Sequence, residues 1–157
     1  MGNRLDITAS IVLYNEDLEE LKKTINCFLT ISLTKKLYLI DNTLEKRFAN
    51  IFNQDSIEYI SVGKNIGFGS GHNRVLKKIK EQSKYHLILN PDVLFKEKVI
   101  HNLIDTLKKD DSLAMIAPKV LFPDKSHQYS CRRYPSALEL IIRRFTFLKS
   151  FLNPSSI

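Results

Sequence analysis

Four short polar segments of this chain carry residue types able to hold a phosphorylated ligand: Tyr14-Asn15, Asp41-Asn42-Thr43, Asn65-Ile66-Gly67-Phe68-Gly69-Ser70-Gly71-His72-Asn73 and Asn90-Pro91-Asp92. Asp92 stands out for chemistry. Magnesium and manganese prefer oxygen ligands, and magnesium commonly uses one or two carboxylates together with a substrate's phosphates. A single aspartate at a strand end is thus enough to anchor a metal diphosphate. Glycines 67, 69 and 71 let the backbone approach a ligand closely and open the next helix with free N–H groups. Their G-x-G-x-G spacing lacks the third glycine of the dinucleotide fingerprint, whose place His72 takes, and no Gly-Lys-Ser/Thr follows, which excludes a P-loop. Taken singly, each segment also has an ordinary reading. Asn15 can cap a helix, Asp41-Asn42 can form an Asx-turn, the glycines can make a tight strand-to-helix turn, and Asn90-Pro91-Asp92 can cap a loop.

The elements around these segments give them a common address. Short β-rich runs alternate with helical patterns, the signature of an α/β fold with a mainly parallel sheet flanked by helices. Strands are predicted near Ile7–Leu13, Leu37–Ile40, Ile57–Val62, His86–Leu89 and Ala114–Ala117. Leu18, Leu21, Ile25, Phe28 and Leu29 recur at helical spacing behind the acids Asp17, Glu19 and Glu20, which suit a helix N-terminus. Val99, Ile100, Leu103, Ile104 and Leu107 form a second stripe, and Val75, Leu76 and Ile79 a shorter one. A weaker helical stretch covers Glu45–Phe52. Each polar segment directly follows one of the first four strands. In an open parallel sheet the carboxyl ends of the strands share one edge, where ligands bind, so the four segments are expected to converge.

Composition bounds the class. A chain of 157 residues has room for one core, and 43% hydrophobic with 26% charged residues is ordinary globular usage. No apolar run is long enough to span a bilayer and the N-terminus lacks a signal-peptide core, so a cytoplasmic address is expected. Cys27 and Cys131 have no metal or disulfide spacing and read as reduced thiols. The net charge of +7 is lopsided: residues 119–157 carry seven Lys/Arg against two acids, and residues 1–118 carry 17 against 15. Such a basic segment can meet nucleic acid, an anionic membrane or phosphate groups, or be a solvated face. A turn at Pro123-Asp124-Lys125-Ser126 leads into it, and it includes an apolar and basic helical stretch, Leu138–Leu152.

In their order and spacing, Ser10-Ile11-Val12-Leu13-Tyr14-Asn15, Leu39-Ile40-Asp41-Asn42-Thr43, the Asn65–Asn73 glycine segment and Leu89-Asn90-Pro91-Asp92 resemble the successive motifs of family 2 glycosyltransferases, most closely the rhamnosyltransferase branch that builds bacterial surface polysaccharides. The resemblance covers nearly the whole chain. It implies a Rossmann-like GT-A nucleotide-sugar-binding core over residues 1–118 and the start of an acceptor-side region over 119–157. It implies Tyr14, Asn15 and Asp41 around the base and ribose, Asn65, Gly67 and the helix start near Asn73 approaching the nucleotide and sugar, and Asn42 and Gly71 among the substrate-binding residues. Asn90-Pro91-Asp92 takes the family's Asp-x-Asp position, so Asp92 would hold Mg2+ or Mn2+ between the donor phosphates, with Asn90 replacing the first acid. Arg132 and Arg133, like Gln128 and Arg143-Arg144, resemble the same branch and could face a lipid-linked phosphate acceptor, or snorkel over a packed helix. The implied reaction moves a hexose, rhamnose from dTDP-rhamnose foremost, from a dTDP- or UDP-sugar to a saccharide or polyprenyl-linked acceptor with inversion. Peripheral contact with the inner face of the plasma membrane goes with it.

One departure bears on activity. Inversion needs a general base for the acceptor hydroxyl, which the family places in an acidic motif beyond Asn90-Pro91-Asp92. After residue 119 only Asp124 and Glu139 are acidic, and neither stands in such a motif. The acceptor half is therefore expected to be missing. A non-catalytic nucleotide-sugar-binding remnant is the alternative to an active transferase. A nucleic-acid-binding domain fits less well, since no recognised motif accompanies the charge. A nucleotidyltransferase would show a glycine-rich basic loop after the first strand, where Tyr14-Asn15-Glu16 stands instead.

Overall fold

Along β1 (Leu5–Leu13) every residue from Ile7 onward is buried, on both faces, because this strand lies inside the sheet with neighbours on either side. Its alternation assigns the faces. Ile7, Ala9, Ile11 and Leu13 belong to the larger core, and Val12 to a second one. The computed structural model describes residues 4–128. The chain divides into two compact units, Met1–Ile116 and Ala117–Ile157.

In the first unit β1 is followed by α1 (Leu18–Leu29), β2 (Lys35–Asp41), β3 (Ile57–Ser61), α2 (Phe68–Asn73), α3 (Leu76–Gln82), β4 (Ser83–Ile88) and α4 (Glu97–Lys109). All strand pairs are parallel, in the order β3-β2-β1-β4. The parallel α/β sheet expected from the alternation is thus present. Helix α1 begins where Asp17 accepts hydrogen bonds from the N–H groups of Glu19 and Glu20 at 2.9 and 3.0 Å, the usual remedy for unpaired N–H groups in a first turn. Its buried Leu21, Ile25 and Phe28 join Ile100 and Ile104 of α4 in the larger core. The second core packs Val75 and Ile79 against Val12, Tyr38 and Ile40. Helices therefore pack on both faces of the sheet.

Two expected elements are not formed. The Ala114–Ala117 segment joins no strand, and Met115 is 83% exposed. Among the described residues no strand lies beside it to pair its N–H and C=O groups, and an unpaired extended run is not a strand. Residues 45–52 form successive turns instead of a helix. Bonds from Ala49 N–H to the Lys46 carbonyl (3.1 Å) and from Ile51 N–H to the Phe48 carbonyl (3.2 Å) close them, and Lys46 has a φ of 50°, outside helical geometry. Burial of Phe48 in the larger core anchors the segment. No helix among the described residues is long and apolar enough to cross a membrane.

The second unit contributes β5 (Val120–Leu121) and β6 (His127–Gln128), an antiparallel pair. The expected turn lies between them: Asp124 Oδ1 accepts from Ser126 N–H and Oγ at 2.9 and 2.6 Å, and Lys125 has a φ of 67°. The Leu138–Leu152 stretch lies outside the described residues.

Candidate functional site

Strands β1, β2 and β3 step outward in sequence, and the chain then returns to lay β4 on the other side of β1. The carboxyl ends of β1 and β4 flank that reversal, the place where open α/β sheets form a ligand crevice. A cleft of about 370 Å³ occurs there, lined by Val12, Tyr14, Glu16, Asn42, Asn65, Gly67, Phe68, Asn90, Pro91 and Asp92. Every one of the four polar segments contributes to it.

Tyr14, 48% exposed, and Asn90 and Asp92, both exposed, stand on its walls. Asn42 is buried. Its Nδ2 donates to the Gly67 carbonyl at 3.4 Å, which ties the end of β2 to the glycine segment, and its Oδ1 has no partner among the described residues. Asn65 Oδ1 accepts from the Gly67 N–H at 2.9 Å, and Gly67 adopts φ 83°, a conformation glycine takes without strain. These bonds shape the approach to α2.

Other expected residues stand elsewhere. Asp41 is fully buried and away from the cleft wall. Its Oδ1 accepts from Thr43 N–H and Oγ1 at 2.8 and 2.7 Å, and its Oδ2 accepts from the Tyr59 hydroxyl. Burial, followed by the bond to Asp41, raises the Tyr59 phenol well above its ordinary pKa, so the proton stays on the phenol. A carboxylate so occupied has little capacity left for a base or ribose. Gly71 packs against Val12 under the cleft rather than lining it, and Asn15 and Asn73 are exposed outside the lining. Arg132 and Arg133 lie outside the described residues.

Glu16 and Phe68 line the cleft without having been expected there. Glu16 has the appearance of one more acid before a helix, but its Oε1 accepts from the Tyr14 N–H at 3.1 Å and it stands on the wall. Phe68 is 52% exposed although it is a large apolar residue, and its position between two glycines was the available signal.

Among the described residues no group of three or more His, Cys, Asp or Glu could hold a metal unaided. Asp92 fits a divalent ion only where phosphate oxygens complete the shell, as magnesium sites on diphosphates commonly do. An open cleft lined by asparagine amides, the rings of Tyr14 and Phe68 and the carboxylates of Glu16 and Asp92 suits a polar, ring-containing ligand better than an apolar one.

No curated protein matches the chain. The family model for glycosyl transferase family 2 matches residues 8–155, a span that takes in all four polar segments. With that match over nearly its full length and a parallel, Rossmann-like sheet of the GT-A kind, the chain belongs to glycosyl transferase family 2.

Proposed function

We propose that this chain supplies the donor-binding side of a glycosyltransferase that takes a hexose, rhamnose from dTDP-rhamnose foremost, and passes it with inversion to a saccharide or polyprenyl-linked acceptor, whose hydroxyl proton goes to a general base supplied from outside the four strand-end segments. The observation that supports this reading is a common cleft to which all four strand-end segments contribute, with Asp92 in its lining. In this reading Tyr14, Asn42 and Asn65 meet the base, ribose and sugar, and Asn90 and Asp92 meet the diphosphate. A divalent cation held by Asp92 would neutralise charge developing on the leaving diphosphate. The chain's own residues orient the donor so that the anomeric carbon faces the acceptor, and orientation of this kind is a large share of transfer catalysis. Arg132 and Arg133 are proposed to face an acceptor phosphate, which suits a protein working on the cytoplasmic side of a membrane rather than on nucleic acid.

Calorimetry with dTDP-rhamnose, UDP-glucose and the free diphosphates, each with and without magnesium or manganese, tests the reading. Donor binding is expected to strengthen with metal in the wild type. Asp92→Ala is expected to remove the metal-dependent part, a loss of about tenfold or more in affinity if one charge-assisted contact to the ion is lost. Undiminished metal-dependent affinity in that variant would take Asp92 out of the site.

A further inference from the structure

Beneath α2 runs a row of polar side chains that the donor cleft does not use. Thr8 and Ser10 of β1 and Ser83 of β4 are buried, His86 of β4 is partly so, and His72 of α2 is 5% exposed. They touch in sequence. Ser83 Oγ lies 2.9 Å from the Tyr85 carbonyl and 2.8 Å from Thr8 Oγ1, and Thr8 Oγ1 lies 2.9 Å from His86 Nδ1. Ser10 Oγ is 2.7 Å from His86 Nε2 and 2.7 Å from His72 Nδ1. His72 Nε2, buried, ends the row without a partner among the described residues.

Proton counting from the Tyr85 carbonyl, which Ser83 and Thr8 both face, sets the direction of this row. Each hydroxyl has one proton to give, and each neutral imidazole has one N–H. The Tyr85 carbonyl can only accept, so Ser83 donates to it. Thr8 Oγ1 also lies 3.4 Å from that carbonyl, and with its one proton spent on the carbonyl or on Ser83, His86 must carry its proton on Nδ1 to reach Thr8. The bare Nε2 of His86 accepts from Ser10, which obliges His72 to carry its own proton on Nδ1. Both rings are neutral at ordinary pH. Burial lowers the pKa of His72, and burial followed by the neighbouring His72 ring pushes His86 down to about 4. Among the described residues no carboxylate bonds to either ring. From β2 the titratable group on this face is Tyr38, whose phenol is raised by burial and then by Glu58, and which donates to Gln82 of α3. The charged residues of α3 and its approach, Arg74, Lys77, Lys78, Lys80 and Glu81, are exposed.

The row reaches the cleft through α2. The Phe68 ring meets the His72 ring edge-on at 4.4 Å and then forms part of the cleft wall. We propose that His72 is a positioning residue, fixed as its Nδ1–H tautomer by this one-directional row, which holds α2 and Phe68 in the wall of the cleft. The link to nucleotide binding rests on the donor-site reading above.

Long-range proton–nitrogen correlation spectra of the full chain, labelled at histidine and recorded near neutral pH, read the tautomers directly. Both rings are expected to carry the proton on Nδ1, and a proton on Nε2 of either ring would overturn the proposal. His72→Asn returns an amide donor near the Nδ1 position, whereas His72→Leu fills the space without one. The Leu variant is expected to speed amide exchange at Gly71 and Val75 by about tenfold and to weaken dTDP or UDP binding by a similar factor, the scale of one buried hydrogen bond. The Asn variant should stay within about threefold of wild type in both. Unchanged exchange in the Leu variant, or an Asn variant as impaired as the Leu one, would also overturn it. Tautomers and exchange need no nucleotide, so a wild type that binds neither dTDP nor UDP would defeat the donor-site reading while these two measurements still decide the role of His72.

Discussion

Gly69 and Gly71 stand two residues apart on the same short helix, yet a methyl group would meet different surroundings at each. A Cβ on Gly71 would sit 2.6 Å from Val12 Cγ2 and 2.9 Å from Cγ1, whereas one on Gly69 meets nothing within 4 Å. Gly71→Ala is therefore expected to lower stability by about 1–3 kcal/mol through overpacking, and to disturb Val12 in the cleft. Gly69→Ala should be neutral or stabilising by up to about 1 kcal/mol, because alanine is the better helix former. Thermal unfolding of the two variants side by side checks the contrast, and equal losses would refute it. Asp41 calls for a similar separation of roles. Replacing it with Ala strands the Tyr59 hydroxyl and the Thr43 N–H in the interior, an expected cost of about 2–3 kcal/mol. Denaturant titration should show a lower midpoint. An unchanged midpoint together with lost nucleotide affinity would return Asp41 to the ligand.

At the scale of elements, α2 is too short to be stable alone and relies on what lies under it. Gly71 against Val12 and His72 on Ser10 are among the contacts that seat it. Because burial depresses the pKa of both histidines, the unfolded chain binds protons before the folded one does. The stability they contribute is complete above about pH 6.5 and is lost as pH falls from there through about 4, where His86 charges in the folded state. For His86 the loss is roughly 2–3 kcal/mol, allowing for its partial contact with solvent. Urea midpoints between pH 8 and pH 4 should fall over that window in the wild type and fall less in His86→Gln. A wild-type midpoint that stays level between pH 7 and pH 5 would contradict the neutral-ring arrangement.

For the whole molecule, both described hydrophobic cores and all four cleft segments lie within Met1–Ile116. A chain ending after Ile116 is accordingly expected to unfold cooperatively and to keep its affinity for dTDP or UDP within a few fold of the full chain. Calorimetric unfolding and nucleotide titration of the two lengths test this. Failure of the shorter chain to fold would show that residues beyond 116 complete its core.

Much of this architecture was legible in the sequence because it depends on periodicity. The alternation in Ile7–Leu13 and the stripes of Leu18–Leu29 and Val99–Leu107 mark a strand and two helices whatever surrounds them, since apolar spacing fixes which face each element buries. The order of strands and helices then places Tyr14, Asn42, Asn65 and Asp92 at one sheet edge before any coordinate is known. What periodicity cannot carry is the partner. Asp41 and Asn42 are adjacent and equally polar, and only the pleat sends one to Tyr59 inside the fold and the other to the cleft. Ala114–Ala117 has strand composition but no neighbouring strand, and composition does not supply one. The row from Ser83 to His72 joins residues as far as 78 positions apart. Its direction starts from the Tyr85 carbonyl, two residues from Ser83, and passes on only where β4, β1 and α2 meet, so tertiary structure decides where the protons on the two rings sit.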